Sequence, residues 1–92
     1  MILTFCCKDT EALYGGGRHD RFRAFQAQAE RKLQMLDSAD TIDDLRSPPG
    51  NRLEKLSGDR LGRWSIRINN QWRICFRFEN GNAYDVEVVD YH

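Results

Sequence analysis

Four arginines, Arg63, Arg67, Arg73 and Arg77, recur on one side of two alternating runs, and Asp90, Tyr91 and His92 follow one another farther along. A guanidinium suits phosphate, because its fork of donors fits phosphate oxygens and its charge is permanent. Imidazole exchanges protons near neutral pH, a phenol can donate a hydrogen bond or stack on a base, and a carboxylate can orient either. Together such groups could handle a phosphodiester. Each has a plainer reading as well: arginines of a solvated face offset by Asp85 and Glu87, a tyrosine covering a sheet edge, and a frayed histidine.

The elements that must position them are strands. Arg63–Ile68, Gln71–Phe78 and Ala83–Val89 alternate with period 2. Trp64, Ile66, Ile68, Trp72, Ile74, Phe76 and Phe78 fall on one face, and Arg63, Ser65, Arg67, Arg73, Cys75 and Arg77 on the other. Directly opposed residues of an antiparallel pair share a face, so a two-residue turn at Asn69-Asn70 would mismatch the two sets. A three-residue loop, Asn69-Asn70-Gln71, keeps them in order, with an Asn suited to a left-handed position. Arg67 is then expected opposite Arg73, Ser65 opposite Cys75, and Arg63 opposite Arg77. Opposed like charges cost some tenths of a kcal/mol, roughly, so an anion is expected over this face.

Net charge is zero, which argues against a simple polycation that coats nucleic acid. The charge is nonetheless uneven: from Arg46 to Arg77 stand eight basic residues, Arg46, Arg52, Lys55, Arg60, Arg63, Arg67, Arg73 and Arg77, against Glu54 and Asp59. Such a concentrated footprint is what phosphate binding requires. With 92 residues, 40% of them hydrophobic, the chain is expected to form one domain, 1–92, around a single core. Cys6, Cys7 and Cys75 show no metal-ligand or disulfide spacing, so no metal and no cofactor are expected, and a reducing cytoplasm is. Neither a signal peptide nor a membrane span is read in the sequence.

In chain order, Ile2, Leu3 and Phe5 suggest a strand beside a later one, and Lys8–Leu13 is a polar stretch before a breaker, Tyr14-Gly15-Gly16-Gly17-Arg18-His19. The glycines fit no phosphate-loop pattern and read as a connector, with His19 as a solvated loop residue. Asp20 can cap a helix to about Ala39, its stripe being Phe22, Phe25, Ala29, Leu33 and Leu36. Thr41 can cap a short second one through Ile42 and Leu45, stopped by Ser47-Pro48-Pro49-Gly50. Leu53 and Leu56 suit a brief strand leading into Ser57–Gly62. The expected class is α+β: an N-terminal strand, a two-helix hairpin, then a three- to four-stranded antiparallel sheet with helices on one face and the arginine face open.

Leu56-Ser57-Gly58-Asp59-Arg60, Gly62–Asn69, Gln71-Trp72-Arg73-Ile74-Cys75-Phe76 and Val89-Asp90-Tyr91-His92 resemble the RelE-like toxins of bacterial toxin-antitoxin pairs, most closely the HigB branch. The likeness spans nearly the whole chain. It implies a cytoplasmic, ribosome-dependent and metal-independent endoribonuclease that cuts messenger RNA. It also implies a helix-turn-helix, HigA-like antitoxin as partner, contact with operator DNA only through that antitoxin, and no membrane. By position, Arg73, Asp90, Tyr91 and His92 match the family's catalytic pattern. Lys55, Arg60, Arg63, Arg67 and Arg77 are then the RNA-binding candidates. Relatives often carry a histidine and a lysine before Gly58, where this chain has Glu54 and Ser57, with Lys55 close by. A blocking RNA- or ribosome-binding module without chemistry, or a protein-interaction domain, are the alternatives.

Overall fold

The computed structural model describes residues 1–16, 20–56 and 62–90. Helix α1 (Lys8–Tyr14) is followed by a 3-10 turn (Asp20–Phe25), α2 (Gln26–Ser38), two further 3-10 turns (Ile42–Arg46, Pro49–Asn51), and strands β1 (Glu54–Lys55), β2 (Arg63–Arg67), β3 (Trp72–Glu79) and β4 (Asn82–Asp90). The strands form one antiparallel sheet in the order β1-β2-β3-β4. The α+β class and the helices on one sheet face are as expected. The opening run is pared down to two isolated parallel bridges along β4, Ile2 to Ala83 and Phe5 to Val86.

The β2–β3 register is the expected one: Arg63 opposite Arg77, Ser65 opposite Cys75, Arg67 opposite Arg73. The loop between them works differently from expectation, since neither Asn69 nor Asn70 has a positive φ. Asn69 instead turns its side chain inward, and its Oδ1 accepts from the N–H of Gln71 at 2.8 Å and of Trp72 at 2.9 Å. The amide side chain thus imitates a backbone turn.

Helix α1 was not legible as one. Its buried residues are Thr10 and Leu13, one turn apart. Thr10 Oγ1 accepts the Val88 N–H at 3.0 Å, so a polar residue anchors the helix to β4 and breaks the apolar stripe that reveals most helices. The long helix is divided at Phe25. In the 3-10 stretch, side chains three apart eclipse. Phe22 and Phe25 therefore lie together, with Trp72 edge-on to the first at 5.9 Å and stacked on the second at 5.0 Å. The cap expected from Asp20 lies outside the described side chains. The Thr41 capping box is present, its partner being Asp44.

Leu13, Phe22, Leu33, Leu36, Leu45, Ile66, Ile74, Phe76, Val86 and Val88 are fully buried between helices and sheet. At about 1.5–3 kcal/mol for each such side chain, they supply the driving force that fixes the sheet's parity. The opposite face is only partly open. Ser65, Arg73 and Cys75 in its middle are buried, so the arginine face is closed at its centre and half-buried at its rims, with Glu54 exposed.

Candidate functional site

Sheet register arranges the open face in rows across the strands. Glu54, Ser65, Cys75 and Glu87 form one row, flanked by Arg67, Arg73 and Val89 on one side and by Arg63, Arg77 and Tyr84 on the other. Adjacent rows lie two residues apart along each strand and so share a face, except where β4 contains a bulge.

Arg73 is the centre of this arrangement and only 7% exposed. Its Nε donates to Ser65 Oγ at 2.9 Å, and its Nη2 donates to the carbonyls of Arg52 at 2.6 Å and Ser65 at 3.3 Å. Glu54 Oε2 stands 3.9 Å from the same Nη2, with its side chain about half exposed. A guanidinium is thus held in one orientation, with a carboxylate at the water side. Such a group stabilises developing negative charge without having to reorganise.

Arg63 and Arg77 are offset by acids. Asp85 has φ +55 and marks the bulge, where β4 places an extra residue opposite Phe76. Its carboxylate lies 3.7 Å from Arg63 Nη2 and 3.5 Å from Arg77 Nε, and its N–H donates to Thr4 Oγ1 at 2.8 Å. Arg77 also donates to Glu79 at 2.9 Å and sits over the Tyr84 ring. The hydrogen bond to Glu79, ahead of the pull of Asp85, raises the Arg77 pKa further above its ordinary value. The expected cost of opposed arginines is met here inside the chain. Arg67 donates to Asn70 Oδ1, a neutral group.

Two candidates fall elsewhere. Lys55 is opposite Trp64, and its ammonium lies 5.7 Å from the centre of that indole ring, on the sheet face away from Arg73. In a strand neighbouring residues point to opposite faces, so β1 directs Glu54 to the arginines and Lys55 away from them. Asp90 is opposite Trp72 and accepts from Gln71 Nε2 at 3.0 Å, while its neighbour Val89 is the residue beside Arg73. Arg60, Tyr91 and His92 lie outside the described residues, as do His19 and the Ser57–Leu61 part of the loop. Among the described residues no group of three acidic, histidine or cysteine side chains is placed to hold a metal ion, and no helix is long and apolar enough to cross a membrane.

Ser65 was missed as a site residue; Asp85 was read as an acid offsetting the arginines, as it does for Arg63 and Arg77, but its bulge was not. Ser65 gave no signal beyond its place between arginines. Asp85 did leave one: Ala83 and Val86 are both core residues three apart, which strict alternation forbids and a bulge allows.

A family model described as the RelE-like toxin of the type II toxin-antitoxin system HigB matches residues 10–92. A protein named Toxin HigB-1, from Vibrio cholerae serotype O1, is 40% identical over 85 residues, covering 90% of each chain. One named Endoribonuclease HigB, from Proteus vulgaris, is 44% identical over 61 residues, covering 66% of this chain and 65% of that one. Among solved structures, a heterotetrameric YoeB-YefM toxin-antitoxin complex from Staphylococcus aureus superposes with a TM-score of 0.59 at 16% identity, over 100% of this chain and 98% of that one. A YoeB/ParE toxin from Agrobacterium tumefaciens gives 0.52 at 18% identity, over 96% of each. These two likenesses concern the fold.

Proposed function

Because this chain belongs to the HigB family of RelE-like toxins of type II toxin-antitoxin systems, we propose that it is an endoribonuclease cutting messenger RNA on the ribosome, with Arg73 at the scissile phosphate. The name of the Proteus vulgaris relative supports the activity. The observation that carries the reading is the seat of Arg73: buried, held by Ser65 and the Arg52 carbonyl, and facing Glu54.

In the reaction, the 2′-oxygen attacks phosphorus and gives up its proton, the bond to the 5′-oxygen breaks, and that oxygen takes a proton. A cyclic phosphate and a 5′-hydroxyl result. Arg73 stabilises the added charge on the phosphate oxygens. Glu54 accepts the 2′ proton, a role supported by the approach of its carboxylate to the same guanidinium. His92 and Tyr91, matched to the family by sequence, serve the leaving oxygen and the neighbouring base, and Asp90 holds the strand end before them through Gln71. Arg63, Arg67 and Arg77 grip the strand, whereas Lys55 has no part in this face. The ribosome orients the message, a contribution that reaches about 7–11 kcal/mol in well-aligned cases. A co-encoded helix-turn-helix antitoxin neutralises the toxin, and both act in the cytoplasm with the translating ribosome.

Cleavage of messenger RNA on programmed ribosomes, read by mapping transcript ends, tests this with wild type, Arg73→Ala, Tyr91→Ala and His92→Gln. Loss of cut ends in the variants is expected. Inhibited translation with intact RNA in the wild type points to a blocking module, and equal cleavage by all four proteins removes the site assignment.

A further inference from the structure

Some basic residues of the arginine face are paired with acids, and others near it are not. Arg63, Arg73 and Arg77 each stand near a carboxylate, of Asp85, Glu54, or Asp85 and Glu79. Arg31, Lys32 and Arg67 have none within ion-pair distance among the described residues. Their hydrogen-bond partners are neutral: Lys32 Nζ donates to Asn51 Oδ1 at 2.5 Å, and Arg67 to Asn70 Oδ1.

Arg31 and Lys32 are neighbours on α2, and Lys32 is tied through Asn51 and the adjoining Arg52 to Arg73, the residue opposite Arg67 on β2. The Lys32 pKa is lowered, first by burial and then by the charges of Arg31 and Arg67. Asn51 links them to the centre. It is fully buried, its amide donates to the carbonyls of Leu45 and Ser47, and it precedes Arg52, whose own carbonyl receives Arg73. Arg67 is also the residue directly opposite Arg73. A patch of like charges, partly desolvated and fixed by neutral oxygens, favours an anion. Its continuity with Arg73 makes a phosphate of the same strand the fitting one.

We propose that Arg31, Lys32 and Arg67 form a second phosphate seat, which holds the messenger RNA backbone at a nucleotide flanking the one at Arg73. The seat rests on the reading of the arginine face as an RNA-cleaving surface. It extends that surface around the sheet edge onto α2.

Salt dependence of binding counts the phosphates released. For single strands the slope of log affinity against log salt changes by about 0.7 per contact. The probe is a short single-stranded 2′-O-methyl RNA, which lacks the attacking hydroxyl, titrated with the full chain. Arg31→Gln with Lys32→Gln is expected to flatten the slope by about 1.4, while the control pair Lys8→Gln with Arg23→Gln keeps the wild-type slope. Arg31 is exposed, so Arg31→Gln alone shows about half the change even where Lys32→Gln loosens Asn51. Unchanged slopes in both Arg31 variants, an equal change in the control pair, or a change seen only on vacant ribosomes overturns the seat, the last by pointing to ribosomal RNA. Wild type that binds neither this RNA nor vacant ribosomes overturns the RNA-binding face itself, and the seat with it.

Discussion

Ser65 Oγ receives the Nε–H of Arg73 at 2.9 Å from the neighbouring strand, and both residues are buried. Ser65→Ala leaves that charged donor without its partner, at a cost of about 1–3 kcal/mol in stability. The guanidinium is then less firmly aimed, and single-turnover cleavage is expected to fall roughly ten- to a hundredfold. Urea unfolding and rapid-quench kinetics measure the two effects. Full cleavage in a folded variant would show that Arg73 needs no such support.

Glu54 and Arg73 separate chemistry from grip. Glu54→Gln removes the proposed proton acceptor and one acid beside the arginine charge. Cleavage is expected to drop about 10²–10⁴-fold, while affinity for uncleavable RNA stays equal or rises. A parallel loss of affinity would assign Glu54 to binding.

Asp85 serves through both its backbone and its carboxylate. Asp85→Gly retains the left-handed conformation and releases Arg63 and Arg77 from their shared acid. Tighter RNA binding with a steeper salt slope is expected. Asp85→Val forces a branched side chain into the same φ and is expected to cost about 1–2 kcal/mol or more in unfolding experiments.

Acid should loosen the turn before the sheet. The backbone N–H groups of Thr41 and Asp40 donate to Asp44 and hold its carboxyl below the ordinary carboxylate range. A lowered folded pKa means stability present above the unfolded value and lost as pH falls through the folded one. Asp44→Ala is therefore expected to melt below wild type at neutral pH. The difference should vanish in acid, below the depressed pKa, as thermal scans across pH would show.

Much of the sheet was legible because period-2 alternation leaves few registers that keep Trp64, Ile66, Ile74 and Phe76 on one face. Parity alone placed Arg67 opposite Arg73. What parity could not supply was depth. Nothing in the string Arg-Trp-Ser-Ile-Arg distinguishes a solvated serine from one buried beneath a guanidinium. Helix α1 escaped notice because Thr10 does with a hydroxyl what an apolar residue usually does by packing. Lys55 drew attention by its charge, yet a two-residue strand decides its side of the sheet, and Leu53 and Leu56 carried too little pattern to show which side.

The bond from Arg73 Nη2 to the Arg52 carbonyl ties the short edge strand to the middle of the sheet, just ahead of Glu54. Deleting that arginine therefore does not subtract a charge alone: it unfastens the segment that carries the opposing acid. Activity lost in Arg73→Ala will be a compound quantity, and its size cannot be assigned to phosphate binding. Comparison with Arg73→Lys, which keeps a cation but lacks the planar fork, and with hydrogen exchange at Glu54 and Lys55, separates the missing charge from the displaced strand.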